Sequence, residues 1–167
     1  MGKRAALCIS GALWITIAVT ACSSDTAGST STGDGGTSSS QNDGTAEQLC
    51  VDTINQYRAT LNLPPYQRWT SDEVCADGQA ESDSQTQTAH GAFGKCSELA
   101  QNECPNWTGP PGTMIPSCLQ MMWNEGPGAD FATHGHYINM SSTKYTMVSC
   151  GFYTLPDGKV WAAQDFK

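Results

Sequence analysis

The side chains of this chain best suited to chemistry are its three histidines, two of which lie in the stretch HGHYINMSS. They are His90, His134 and His136. Neutral imidazole binds zinc and similar divalent ions. In an extended segment, residues two apart point to the same side, so His134 and His136 could hold one ion together. The glycine-rich approach GPGADFATHG instead predicts that His134 lies in a loop.

The first elements that must position these histidines are predicted to be two helices. AEQLCVDTINQYRATLNLPP has apolar residues at helical spacing and ends at Pro64-Pro65. In TSDEVCADGQAESDSQTQTAH, Thr70 and Glu73 have the spacing of a capping box. The small residues of this segment predict a second helix that packs closely; Val74, Cys75, Gly78 and Ala89 are the residues we expect at the contact.

The rest of the chain changes from helical to strand patterns. SELAQNE is predicted to form a short acidic helix or turn, and IPSCLQMMWNEG a third helix that buries Leu119, Met122 and Trp123. KYTMVSCGFYTL and KVWAAQDF are apolar, aromatic and β-branched runs separated by a Pro-Asp-Gly turn, which predicts a hairpin. Helices followed by strands indicate an α+β fold.

The amino terminus is typical of an exported lipoprotein. Lys3 and Arg4 precede an uncharged apolar core, and VTAC ends at Cys22 like a lipobox. We therefore expect a signal peptide over residues 1–21, a lipid on Cys22, and a Ser/Thr/Gly-rich flexible tether over residues 22–45. The folded domain is predicted over residues 46–167. A retained transmembrane helix is the alternative.

Six cysteines remain after Cys8 of the signal and Cys22. They are Cys50, Cys75, Cys96, Cys104, Cys118 and Cys150. An even number in an exported domain predicts three disulfides. Among the 15 ways of pairing six cysteines, we favour Cys104 with Cys118, which would close the Pro/Gly-rich excursion between them.

The charge balance excludes one class of partner. The chain has 8 basic and 16 acidic residues, and two of the basic residues belong to the signal. Nucleic acids and anionic lipid surfaces attract clustered Lys and Arg, so no nucleic acid is expected.

From Cys50 onward, the chain resembles the CAP superfamily, whose members include cysteine-rich secretory proteins, antigen 5 and pathogenesis-related 1 proteins. The resemblance rests on INQYRATLNLPPYQRW, a histidine after a small-residue helix, SELAQNE in place of the family's GENL segment, MWNE, GHYINM and VSCGFY. It covers about residues 48–166. It implies an α-β-α sandwich with a central antiparallel sheet.

The resemblance also implies a cleft with two histidines and two glutamates, which are His90, Glu98, Glu125 and His136 by motif. Such a cleft would hold a divalent metal such as zinc weakly, through His90 and His136. His134 is expected at its rim. The family's Gly and Asn around the first glutamate are replaced here by Ser97 and Leu99, so Glu103 is the substitute candidate for Glu98.

Three functions are compatible with these patterns. The first is a lipid-anchored extracytoplasmic binding protein of the bacterial envelope, at the outer membrane or cell surface, with a small hydrophobic or protein ligand. The second is a metal-dependent hydrolase in which Glu98 or Glu125 activates a metal-bound water. The third is a structural envelope protein with a vestigial cleft. The six oxidised cysteines and the absence of a nucleophile elbow speak against nucleophilic catalysis.

Overall fold

The computed structural model describes residues 44–167, so the predicted signal peptide, most of the tether and the proposed lipid site at Cys22 lie outside the described residues. Within this range, helices and strands alternate along the chain. They are α1 (Ala46–Thr60), β1 (Gln67–Arg68), a 3-10 helix (Thr70–Asp72), α2 (Glu73–Thr86), β2 (Ala100–Thr108), α3 (Pro111–Trp123), α4 (Phe131–Ser141), β3 (Met147–Thr154) and β4 (Lys159–Phe166).

The first predicted helix is present, and the second begins differently from the prediction. Thr45 caps α1 by accepting a hydrogen bond from the Gln48 amide at 3.2 Å. The capping box predicted from Thr70 to Glu73 does not form, because Thr70 begins a 3-10 turn and α2 starts only at Glu73. The Glu73 carboxylate instead pairs with Arg68.

The close contact of α2 uses different small residues from those expected. Val74 is 82% exposed, whereas Ala76 and Ala80 are fully buried against the sheet. A Cβ at Gly151 of β3 would lie 2.2 Å from the Ala76 carbonyl carbon. The helix therefore packs on the sheet where a strand glycine lets the two backbones approach.

The sheet has four strands in the order β1-β3-β4-β2. The predicted hairpin is confirmed: β3 and β4 pair antiparallel, with Tyr153 opposite Trp161. On the far side of β4, β2 also pairs antiparallel, from Ala100 opposite Phe166 to Thr108 opposite Lys159. The short β1 pairs parallel with β3.

Two local predictions were wrong. SELAQNE is not a helix or turn, because the chain from Ala100 onward is strand β2, whose backbone hydrogen bonds come from β4. His134 is not in a loop, because α4 begins at Phe131 after the Asp130 side chain caps the Ala132 amide at 3.1 Å. In the first segment, contacts distant in sequence supply an order that the local pattern does not reveal, whereas in the second the missed signal is a local helix cap.

Helices cover both faces of the sheet, which confirms the predicted α-β-α sandwich. One face and the helices α1 and α3 enclose the main apolar core, which includes Ile54, Leu119 and Phe166, all fully buried. The other face packs against α2 and holds a small apolar cluster of Ala80, Trp161 and Ala163. Alternate residues of β4 serve the two faces, as the pleat of a strand requires.

Three disulfides tie these layers together, as predicted. Cys50 pairs with Cys150, Cys75 with Cys96, and Cys104 with Cys118. The predicted Cys104–Cys118 link is confirmed, and it joins β2 to α3. The Cys75–Cys96 link joins α2 to the loop that carries His90. Disulfides of this number indicate an extracytoplasmic domain.

Across residues 44–167, no helix combines the length and the apolar character needed to cross a membrane.

Candidate functional site

His90 lies in the loop between α2 and β2, and its backbone has the left-handed conformation with φ of 62°. Few residues with a Cβ adopt this conformation, so the surrounding contacts must hold it. The His90 amide donates to Oε2 of Glu103 at 3.1 Å, and Nδ1 of the ring lies 3.0 Å from Oε1 of Gln101. Both partners belong to β2, which therefore determines the position of the loop.

The orientation of the Gln101 carboxamide determines which nitrogen of His90 carries the proton. Nε2 of Gln101 donates to Oε1 of Gln79 at 2.8 Å and to Oδ1 of Asp165 at 3.0 Å. Oε1 of Gln101 thus faces the imidazole, and a carboxamide oxygen can only accept. Neutral His90 consequently has its hydrogen on Nδ1, and its Nε2 lone pair is available.

His136 lies on α4 and has an analogous partner. Its Nδ1 contacts Oε1 of Glu125, and Oε2 of the same carboxylate accepts the amide of His136 at 3.0 Å and that of Tyr137 at 3.3 Å. Glu125 follows α3, so the pair also connects the end of α3 to the middle of α4. A carboxylate on Nδ1 leaves Nε2 as the free nitrogen, an arrangement that orients a metal-binding imidazole.

The two histidines line one cavity of about 250 Å³. Its other walls come from β2, from α4 and from the turn after α3; they are Gln101, Asn102, Glu125, Phe131, Ala132, Gly135 and Asn139. Asn102 donates to the carbonyl of His136 at 3.2 Å and accepts from Nδ2 of Asn139 at 2.9 Å. These amide bonds attach α4 to β2, and so they hold the element of His136 beside that of Gln101.

Glu98, which the motif placed in the cleft, is not among the residues that line this cavity. It is 6% exposed, and its carboxylate accepts from Nε2 of Gln79 at 2.7 Å, from the Gly94 amide and from the Cys96 amide at 2.9 Å. These bonds make Glu98 a buried support of the loop that follows His90.

Gln101 occupies the place in the cleft that the motif assigned to a glutamate. The signal was present in the sequence: Ala100-Gln101-Asn102 matches the G-E-N order if glutamine replaces glutamate. Asn102 and Asn139 were missed as well, although both lie in segments that resemble family motifs. The cleft therefore contains two imidazoles, one carboxylate and three carboxamides.

Glu103, the substitute candidate, lies behind His90 and is 3% exposed. Its Oε2 accepts from the His90 amide and, at 3.0 Å, from Nε1 of Trp161. Its Oε1 has no partner, and neither does either carboxylate oxygen of Asp83. Burial raises the pKa of Glu103 to about 8. A protonated Glu103 can donate to Asp83, which would satisfy both side chains.

His134 connects α4 to the turn after α3. Its Nδ1 lies 2.8 Å from the carbonyl oxygen of Glu125 and 3.0 Å from that of Gly126. A carbonyl only accepts, so Nδ1 donates to both. His134 is not among the residues that line the cavity of His90 and His136. The structure thus places His136 in the cavity that His90 also lines, and His134 among the contacts that position Glu125.

An apolar cavity of about 320 Å³ adjoins the histidines and shares His90, Gln101, Phe131 and Asn139 with the first. Its remaining walls are Phe93, Leu99, Ala100 and Tyr145. Phe93, Leu99 and Phe131 are 48%, 63% and 60% exposed. Large apolar side chains this exposed around one opening indicate a surface for an apolar ligand or partner.

Two groups in the described residues, neither of which contains a histidine, bring potential ligand atoms within 4.8 Å of one another. They are Asp72 with Cys75 and Cys96, and Cys96 with Glu98 and Asp165. Both cysteines are held in a disulfide, and metal binding needs the thiolate. The histidine pair has the more suitable donors, because each imidazole has a free Nε2 and a partner on Nδ1.

Comparison with known proteins agrees with this architecture. Among solved structures, a match is "Crystal Structure of Na-ASP-1", with a TM-score of 0.51 and 11% identity over 72% of this chain. The match spans 38% of that protein, so the likeness concerns the fold of one part of it. No curated protein matches at the significance required. The family model described as "CAP: Cysteine-rich secretory protein family" matches residues 51–166, and the chain therefore belongs to the CAP family.

Proposed function

We propose that this protein is a binding protein of the bacterial envelope, with a CAP-domain cleft that takes a divalent metal ion through His90 and His136. The observation that carries the proposal is that both imidazoles have a hydrogen-bond acceptor at Nδ1. Each has an acceptor on Nδ1, so each keeps the Nε2 lone pair that a metal requires. Zinc accepts imidazole nitrogen readily, and two protein ligands leave positions for water or a ligand donor.

The ligand is proposed to be small and partly hydrophobic. The apolar cavity beside His90 offers Phe93, Leu99 and Phe131 to such a molecule, while the carboxamides of Gln101 and Asn139 can contact a polar end. A metal ion bound by the histidines would supply a positive charge at the polar end of this ligand. An envelope protein that inserts an apolar side chain is the alternative occupant.

Binding is favoured over hydrolysis by the state of the carboxylates. Glu125 is the only carboxylate among the residues that line the histidine cavity, and its oxygens already accept from His136 and Tyr137. A general base must be free to take a proton from a water or a substrate. Gln101 stands where a second carboxylate would be needed, and a carboxamide has no such basicity.

The location completes the proposal. Lipidation at Cys22 would attach the domain to the membrane, and the tether over residues 22–45 would hold the cleft away from the lipid surface. Attachment through a lipid is consistent with the acidic composition, which would not favour an anionic membrane face.

Zinc titration of the intact chain by calorimetry tests the cleft. We expect a single site in the wild type, with binding lost in His90→Ala and in His136→Ala. His134→Ala is the comparison variant: His134 does not line the cavity but positions Glu125, so its loss should weaken zinc binding less than either cleft substitution. Zinc binding that survives both cleft substitutions, or that is weakened more by His134→Ala than by them, would refute the assignment.

The apolar cavity needs a separate test with a fluorescent fatty-acid analogue. Leu99→Asp should weaken its binding, since a charge would replace an apolar wall. Val74→Asp is the control, because Val74 is 82% exposed and lies on α2 away from the cavity. Equal weakening by both substitutions would assign the effect to surface charge alone.

Metabolic labelling with a clickable fatty acid tests the anchor. The label should appear in the wild-type protein and disappear in Cys22→Ala. A label that persists in Cys22→Ala would contradict lipidation at this cysteine.

A further inference from the structure

A further pocket, which shares no residue with the histidine cavity, lies between the end of α1 and the segment that precedes β3. It has a volume of about 270 Å³ and is lined by Arg58, Pro64, Pro65, Gln67, Thr143, Tyr145 and Thr146. Arg58 is the one buried residue of this lining, with 2% exposure, and it is also the one charged residue. The pocket thus has a guanidinium in its floor and uncharged residues around it.

The guanidinium is held in a fixed orientation by three backbone carbonyls and one ring. Nε donates to the carbonyl of Pro64 at 2.9 Å, and Nη1 donates to those of Met140 and Ser142, both at 2.8 Å. The central carbon lies 3.6 Å from the centre of the Tyr66 ring. An arginine fixed in this way is preorganised, so a ligand would not have to order its flexible side chain.

Two of the five N–H groups of Arg58 are not used by these contacts. They belong to Nη2, which donates to no backbone carbonyl and no carboxylate in the range 44–167. The bonded carbonyls are neutral, and no carboxylate lines the pocket. The charge of Arg58 is therefore buried without an anionic partner, in a chain whose net charge is −8. A buried cation of this kind is stabilised strongly by an anion that reaches it.

We propose that this pocket binds a carboxylate, with Nη2 of Arg58 as its donor. One guanidinium matches a single negative charge, so a monoanion fits better than a phosphate dianion, which would bury a second uncompensated charge. Pro64, Pro65 and the ring of Tyr145 offer apolar contact to the carbon skeleton behind the carboxylate, and Thr143 and Thr146 offer hydroxyls to its oxygens. The carboxylate can belong to a free organic acid or to the carboxyl terminus of a peptide.

The site is tested by titrating the ¹⁵N-labelled intact protein with benzoate and with a short peptide that has either a free or an amidated carboxyl terminus. We expect saturable shifts of the Arg58 side-chain signal and of the Thr143 and Thr146 amides with benzoate and with the free-acid peptide. Tighter binding of the peptide acid assigns the carboxylate to chain ends, and tighter binding of benzoate assigns it to free acids. Equal binding of the amidated peptide, or no saturable shift, would overturn the proposal.

Arg58 is buried, and its replacement could prevent folding, so the variant is placed on the rim. Thr143→Glu adds a negative charge at an exposed position of the lining and should weaken benzoate binding by about tenfold. Thr113→Glu makes the same change at an exposed position of α3 outside the pocket, and it should leave the affinity within about twofold. Unchanged benzoate binding in Thr143→Glu would show that the shifts arise elsewhere and would overturn the site.

Discussion

The two faces of the central sheet are filled with different chemistry. Towards α1 and α3, the buried side chains are mainly apolar or belong to disulfides. Towards α2, carboxylates and carboxamides are buried next to Trp161 and Ala163; they are Asp72, Gln79, Asp83, Gln101, Glu103 and Asp165. Burying these polar groups costs free energy unless each finds a partner. The polar face is the one that supports the His90 loop.

This difference teaches that the stability and the site of the protein depend on opposite sides of one sheet. The apolar face supplies the hydrophobic free energy of the fold. On the α2 face, burial of polar groups offsets part of that free energy. The hydrogen-bonded layer that these groups form orients one histidine. Substitutions on the apolar face should therefore change mainly the free energy of unfolding, and substitutions on the α2 face should also change the site.

The largest loss of stability is expected on the apolar face. Leu119→Ala removes a fully buried side chain from the centre of α3 and should lower the free energy of unfolding by about 2–5 kcal/mol. Leu61→Ala is the control, because Leu61 is 44% exposed and should cost less than about 1 kcal/mol. Urea unfolding measures both, and equal costs would contradict the assignment of the core.

A smaller loss is expected where α2 meets the sheet. Gly151→Ala would place a Cβ 2.2 Å from the backbone of Ala76, so α2 must shift, at a cost of about 1–3 kcal/mol. Gly78→Ala is the control on α2 itself: nothing lies within 4 Å of its Cβ, and the change should be neutral or slightly stabilising. Thermal unfolding measures both variants, and a larger drop in the unfolding temperature for Gly78→Ala than for Gly151→Ala would contradict this contact.

The polar face also predicts a dependence of stability on pH. Burial raises the pKa of Glu103 to about 8 and that of Asp165 to about 7, whereas carboxylic acids of an unfolded chain titrate near 4. Between about pH 4 and pH 8, the folded state holds protons that the unfolded state has lost, so stability falls as pH rises. We expect the free energy of unfolding to fall throughout the range from pH 5 to pH 8, by up to about 1.4 kcal/mol per pH unit for each acid that is protonated only in the folded state.

Glu103→Gln should remove part of this slope, because glutamine resembles the protonated acid and remains neutral at every pH. Glu81→Gln, an exposed position of α2, should leave the slope as in the wild type. Urea unfolding at several pH values measures the difference. A wild-type protein that became more stable from pH 5 to pH 8 would contradict the neutral state of the buried acids.

The smallest effect is expected where the polar face reaches the cleft. Gln101→Ala removes the acceptor that holds Nδ1 of His90, and it should weaken the proposed zinc site by about tenfold, which corresponds to about 1.4 kcal/mol. Gln48→Ala, which removes a carboxamide of α1 outside the cleft, should not change zinc binding. Calorimetry measures the zinc affinity of both variants. An unchanged affinity in Gln101→Ala would show that Gln101 does not orient His90 for metal binding.

Predictions from the sequence succeeded where the evidence was local or covalent. The turn at Pro156-Asp157-Gly158 between two apolar runs predicted the hairpin, since two strands so close in sequence have few other partners. The Pro/Gly-rich segment from Cys104 to Cys118 predicted their disulfide, because a link between its ends would close the excursion between them. The order of the family motifs predicted the three layers.

The identity of the residue beside His90 could not be obtained in this way. Glu98 and Gln101 are three residues apart, and the motif favoured the acid because a carboxylate was expected. Pairing of Ala100 with Phe166 places Gln101 opposite Asp165, and this register directs the carboxamide to His90 while Glu98 remains before the strand. Register is set by a strand more than sixty residues later.

The sequence by itself determined the α+β class, the hairpin and the Cys104–Cys118 link. These depend on composition, on spacing and on residues close together in the chain. Only the tertiary structure decided that HGHYINMSS is helical, that Gln101 rather than Glu98 faces His90, and that Arg58 lies beneath a pocket. The physical reason is that hydrogen bonding and burial between distant segments decide which polar side chain faces a cavity and which becomes part of the core.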